Sequence, residues 1–352
     1  MPYPPIFDGH NDTILRLHLA SADKNYSFFR DNEGLHIDLP KARAGGLGGG
    51  FFAIFVPNKE PMGDFPGTKD GGNSYAIPLP KTLHRTYAMN LATGMVARML
   101  RLEAESQGQV TIVRDADALA GALDRGVLAM ILHFEGAEAI DRNFDALHLF
   151  HAAGLRSLGP VWSRPNLFAH GVPFQYPSSP DTGPGLTDAG RALVRECNSL
   201  GILIDLSHLN EKGFWDVEAS SQAPLVATHS GAHALCATPR NLTDKQLDAI
   251  AASGGVAGVN FHTGFLRADG RYKEDTPLTE IVRHVDYMVE RIGIDHVALG
   301  SDFDGATMPT DLVNAAGLPK LMAALQTAGY GDAELAQIAN GNWQRVLRAT
   351  WK

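Results

Sequence analysis

Eight short apolar runs, rich in Val, Ile, Leu and Phe, recur along the chain and alternate with longer segments of helical period. They lie at 6–10, 49–57, 128–136, 156–163, 201–209, 224–230, 255–262 and 296–305. Near-continuous apolar runs are the mark of strands covered on both faces, and the intervening helices supply the cover. Helices are expected at 82–106, 115–125, 143–153, 187–200, 211–221, 244–253, 278–292 and 332–350. The segment 187–201 shows the grammar: Thr187 or Asp188 caps the start, Leu193, Val194, Cys197 and Leu200 repeat at three and four, and Gly201 stops it. Eight strands joined by crossover helices predict an α/β fold, a single (β/α)8 TIM-type barrel, with its chemistry at the C-terminal strand ends.

Two irregular segments rich in Gly and Pro, 57–80 and 164–186, follow the second and fourth runs and are expected to hang over that face as binding loops. The 352 residues suit either one large barrel or two smaller domains, and because no Gly/Ser linker divides them, 1–352 reads as one catalytic domain.

The net charge of −9 and the absence of any dense Lys/Arg run argue against nucleic acid and anionic membrane as partners and favour a small polar ligand. The only cysteines, Cys197 and Cys236, form no CxxC pair, which argues against a disulfide framework and a cysteine zinc site. No signal-like N-terminus and no apolar run of about 18 residues is visible, so the expected location is cytoplasmic.

Polar residues gather at the predicted strand ends: His10 and Asp12, Glu135, His208, His229, then Asp302 and Asp304. Alternation along a strand would aim His10 and Asp12 to one side. Taken singly each has a plain reading; His208, for instance, could be a strand-end histidine bonded to backbone. Jointly, three imidazoles and two carboxylates are donors for zinc or a similar dication. Five ligands exceed one tetrahedral site but suit two metals about 3.5–4 Å apart with Glu135 shared between them. His133 falls deeper on the same strand side as Glu135. Asp8 and Asp304 read as groups that orient the ligands, while His148, His151 and His284 read as surface or packing residues.

At these residues the sequence resembles the membrane (renal) dipeptidase family, the metallopeptidase branch of the amidohydrolase superfamily. The resemblance runs through DGHND (8–12), FEG (134–136), GLTDAGRALVRECNSLGILIDLSHL (185–209), THSGAHALCATPRN (228–241), GSDFDG (300–305) and GNW (341–343). It implies two Zn2+ per chain, with His10, Asp12 and Glu135 holding one and Glu135, His208 and His229 the other. It implies Asp302 as the acid/base that takes a proton from a metal-bridging hydroxide and delivers it to the leaving amine. Arg240 matches the arginine that binds the C-terminal carboxylate of a dipeptide substrate, the D configuration at that position included. A homodimer is the family habit.

One departure stands out. Trp162 occupies the place of a strand-four histidine that donates to the scissile carbonyl oxygen in relatives of the mammalian enzyme. An indole N–H can donate but cannot carry charge. Trp162, His170 or Arg164 is expected to take over, or the metal alone. The departure keeps a rival open, an amidohydrolase acting on N-acyl amino acids or lactones. A silent ligand receptor is the third reading.

Overall fold

The computed structural model describes residues 3–20, 26–60 and 74–352. The strands are β1 (Ile6–Asn11), β2 (Leu47–Phe55), β3 (Tyr75–Ala76), β4 (Val110–Ile112), β5 (Leu128–Glu135), β6 (Leu155–Gly159), β7 (Gln175–Tyr176), β8 (Leu203–Ile204), β9 (Val226–Ala227), β10 (Val256–Val259) and β11 (Val297–Leu299). The helices are α1 (Thr13–Leu19), α2 (Leu39–Gly45), α3 (Arg85–Glu105), α4 (Ala116–Asp124), α5 (Asp145–Ala153), α6 (Asp188–Leu200), α7 (Glu211–Glu218), α8 (Asp244–Ala252), α9 (Thr263–Leu266), α10 (Thr279–Ile292), α11 (Leu318–Thr327), α12 (Asp332–Ala336) and α13 (Asn342–Thr350).

The fold is α/β with a curled parallel sheet. One arc runs β1-β2-β5-β6-β8, with β4 on the lower edge of β5, and a second runs β11-β10-β9. This departs from the uninterrupted eight-stranded ladder that the sequence predicts. At both junctions only an isolated parallel bridge joins the arcs, Asn11 to Phe303 and Asp205 to Val226. The reason is local: the strands at the junctions leave extended conformation early, to carry polar side chains.

Alternation on β5 shows how the core positions the site. Leu128, Met130, Leu132 and Phe134 pack outward against the helices, while Ala129 and Ile131 pack inward with Phe7, Phe51 and Trp343. Continuing up the inward face, the next two residues are His133 and Glu135, so an apolar floor gives way to ligands at the mouth. Trp343 fills the floor fully buried, its Nε1–H donating to Leu299 O at 3.1 Å. Gly258 and Gly300 are needed above it, since a Cβ at either would come within 2.1 Å of Thr228 O.

The expected α6 and α8 appear with their caps: Thr187 accepts from Gly190 N, and Thr243 forms a capping box with Gln246. Sequence periodicity missed the short α1, α2 and α9, as well as α11. Of the insertion at 57–80, residues 61–73 lie outside the described residues. The remainder is less irregular than expected, because β3 pairs antiparallel with β7 from the 164–186 insertion, Tyr75 opposite Tyr176.

Candidate metal centre

His10 and Asp12 do not share a strand. β1 carries a register irregularity between Asp8 and Asn11, and Asp12 is the residue before α1, with φ −101° and ψ 21°. Their atoms still meet, His10 Nε2 lying 3.7 Å from Asp12 Oδ2. Strand alternation is thus the wrong reason for their proximity. A bulge and a helix start produce it instead.

Glu135 ends β5 at the centre of the cluster. Its Oε2 is 3.6 Å from His10 Nε2, and its Oε1 is 2.9 Å from His208 Nε2 and 3.6 Å from His229 Nε2. His208 and His229 bring their Nε2 atoms within 3.2 Å of each other. Donors about 2.0–2.1 Å from a tetrahedral ion would be about 3.3–3.4 Å apart, so this spacing suits coordination. Ligand-type atoms of His10, Glu135 and His229 lie within 4.8 Å of one another, as do those of His10, Asp12 and Asp302.

The surrounding bonds decide which nitrogen each ring presents. Thr228 donates its hydroxyl proton to Asp205 Oδ2 at 2.7 Å, so at 2.8 Å it can only accept from His229 Nδ1. His229 therefore holds its proton on Nδ1 and turns a lone pair inward at Nε2. His208 Nδ1 sits 2.8 Å from Ser163 Oγ, an equivalent outer partner. Both nitrogens of His10, and Asp12 Oδ1, are buried with no hydrogen-bond partner among the described residues. A cation is what converts this set from a cost into a site.

Electrostatics agree. Burial opposes charge on His10, yet Glu135, Asp12 and Asp302 overcome it and push its pKa up to about 10. Burial also raises Glu135 well above the usual carboxylate range, with Asp12 and Asp302 adding to it against His10 and Arg240. His208 and His229 are held neutral, first by burial and then by neighbouring cations. The residues present thus fit a metal group.

Asp302 reaches the same place on strained backbone, with φ +64°; His208 and Asp304 are likewise left-handed, at +67° each. Asn260 donates to Asp302 Oδ2 at 2.9 Å, while burial and then Asp12 hold its pKa above normal against His10. Asp8 pins β1 to the segment after β11, accepting from Ser301 N at 2.6 Å and Ser301 Oγ at 2.9 Å. His133 lies one layer down, bonded to Ser157 Oγ at 2.9 Å, and burial pushes its pKa to about 3.

A cavity of about 310 Å³ opens over the cluster, lined by Asp12, Glu135, His208 and Asp302 on one side and by Trp162 with aromatic neighbours on the other. Trp162 packs against Phe55 and Phe174, with ring centroids 4.9 and 5.6 Å away. Arg164 is no free donor: Glu138, Asn58 and Val56 O take its nitrogens, and its guanidinium lies 5.3 Å from the Trp162 ring. His170 is not brought to the cavity either. Its segment pairs with 208–210 through the Gly171–Leu209 bridge, leaving it half-buried on the flank.

Arg240 is buried. It donates to His229 O at 3.0 Å and Ser230 Oγ at 3.4 Å, and leaves Nε without a partner among the described residues. Its guanidinium carbon lies 5.3 Å from the ring of Phe265, a wall of the cavity. Sequence reading missed the outer partners Ser163, Asp205 and Thr228, and the walls Phe174, Phe265 and Tyr272. The THS triplet at 228–230 held the one usable signal, a hydroxyl residue next to a ligand-type histidine.

Comparison with known proteins agrees with the geometry. The profile of the membrane dipeptidase family, peptidase family M19, matches residues 1–352. An uncharacterised protein from the pqqA 5′ region of Klebsiella pneumoniae is 51% identical over 257 residues, 73% of this chain and 95% of its own. A metallopeptidase from Rhodobacter sphaeroides, solved with a phosphinate mimic of the dipeptide L-Ala-D-Ala, is similar with a TM-score of 0.97 and 47% identity, covering 99% of this chain and 100% of its own. Dipeptidase AC, also of family M19, has a TM-score of 0.93 and 47% identity, covering 99% of each chain. No helix among the described residues is long and apolar enough to cross a membrane.

Proposed function

The chain belongs to the membrane dipeptidase family and is a metallo-dipeptidase; from that premise we propose that it uses two zinc ions, shared across Glu135, to hydrolyse dipeptides. His10 and Asp12 complete one metal position, His208 and His229 the other. The observation that carries this is the pair of inward Nε2 atoms, 3.2 Å apart beside Glu135. The (β/α)8 reading goes with it: the two arcs, bridged at Asn11–Phe303 and Asp205–Val226, form one barrel within one catalytic domain of 1–352.

When bound, the ions would polarise the scissile carbonyl and activate the attacking water. Asp302 collects a proton at its carboxylate and hands it to the leaving amine, held in place by the Asn260 amide that donates to its Oδ2. Arg240, whose guanidinium packs on the cavity wall Phe265, takes the C-terminal carboxylate of the substrate. Trp162 donates its Nε1–H on the carbonyl side. Dipeptides with a C-terminal D residue are the first probes, because the Rhodobacter sphaeroides relative was solved with such a mimic.

The test is metal content and turnover measured together on zinc-loaded protein. About two zinc per chain and dipeptide hydrolysis that stops with chelator and returns with zinc are expected. Active protein with fewer than about one zinc per chain overturns the proposal. Turnover of N-acyl amino acids or lactones without dipeptides would instead favour the reading that Trp162 keeps open.

A further inference from the structure

Helix α1 lays one face along the mouth of the cavity. Asp12, Leu15, Arg16 and Leu19 stand at i, i+3, i+4 and i+7, and all four line the chamber over the metal cluster. Thr13, Ile14 and Leu17 fill the buried side. Arg16 thus sits one turn outward from a ligand-type carboxylate. It also lines a second chamber of about 450 Å³ that includes His36, Glu274 and Val313. The two chambers share Arg16, Asp304, Gly305 and Ala306, which makes Arg16 part of the waist between them.

Asp304 lines both chambers beside this arginine but forms no ion pair with it. Its Oδ2 accepts from Thr13 Oγ1 at 2.7 Å and Ile37 N at 3.3 Å, and its Oδ1 accepts from His36 N at 2.6 Å. His36 Nδ1 in turn accepts from Asp304 N at 2.8 Å. Glu274 lines the outer chamber but makes no ion pair with Arg16. Among the described residues the Arg16 side chain has neither a hydrogen bond nor an ion pair. The facing wall, formed by Phe55, Trp162, Phe174 and Phe265, carries no charge.

We propose that Arg16 selects dipeptides bearing an acidic side chain, which its guanidinium holds at the waist of the cleft. The proposal rests on the dipeptidase reading above and deepens it. A guanidinium fork takes a carboxylate through two parallel hydrogen bonds, and the glutamine isostere keeps the shape while losing the charge. Because Arg16 is exposed, the preference is modest and salt-dependent.

The test compares kcat/KM for Glu-Ala against Gln-Ala and for Ala-Glu against Ala-Gln, with L and D C-terminal residues, on zinc-loaded wild type and Arg16→Met. Wild type is expected to favour one acidic peptide over its glutamine partner by about fivefold. That ratio shrinks in high salt and falls to about one in Arg16→Met. No preference in wild type, or a ratio untouched by the substitution, overturns the proposal. Failure to hydrolyse every dipeptide overturns the parent reading instead. Titration with phosphinate dipeptide mimics bearing Glu or Gln side chains then reads the Arg16 preference as an affinity ratio without turnover.

Discussion

Thr228 donates to Asp205 Oδ2 at 2.7 Å and so is left only a lone pair to offer His229 Nδ1. The bond between these two side chains fixes the tautomer of a third residue, and with it a lone pair turned toward Glu135 and His208. Ser163 Oγ plays the corresponding part for His208, 2.8 Å from its Nδ1.

Replacing Thr228 by Val keeps the volume and removes that acceptor. Zinc affinity is expected to fall by about 10–100-fold, with the fold retained. Competition against a chromophoric chelator measures it, alongside a thermal melt of the metal-free chain. An unchanged affinity would detach the relay from metal binding.

Asp302→Asn tests Asp302 as the proposed proton carrier. Asparagine tolerates the left-handed backbone at φ +64° and can keep the contact with Asn260, so the site geometry should persist. A fall in kcat of about 10²–10⁴ is expected, with zinc content unchanged. Full activity in this variant removes Asp302 from the chemistry.

Trp162→Phe retains the ring contacts with Phe55 and Phe174 but deletes Nε1–H. A loss of about 10² in kcat with little change in KM is expected for a donor to the developing oxyanion. A change confined to KM would reduce Trp162 to a wall.

His284 predicts a pH dependence of stability. It is fully buried, bridging Ala232 N and Leu266 O, and burial pushes its pKa down to about 4. Unfolding returns it to the ordinary 6.5. The unfolded chain therefore binds the extra proton between those values, and stability falls as pH drops from about 6.5 to about 4, by at most about 1.4 kcal/mol per unit. Melts of wild type against His284→Gln should show a flatter pH slope in the variant over that window.

Much of the architecture was legible because burial leaves a periodic mark. Ala129, Ile131, His133 and Glu135 occupy one side of β5 in any register that buries Leu128 to Phe134 outward. The gathering of the ligand-type residues at strand ends followed from the same periodicity. The break in the ladder did not, because it depends on left-handed residues at 208, 302 and 304 that no apolar pattern encodes.

By itself the sequence determined the α/β alternation, the apolar floor and the five candidate donors, since these follow from local periodicity and residue chemistry. Only the tertiary structure decided that a bulge and a helix start, rather than strand alternation, bring His10 to Asp12. It also decided that Arg164 is consumed by Glu138, that His170 stays on the flank, and that Arg16 faces the mouth. Those outcomes depend on which partners meet across hundreds of residues, and a hydrogen bond or ion pair of that span leaves no trace in the residues beside it.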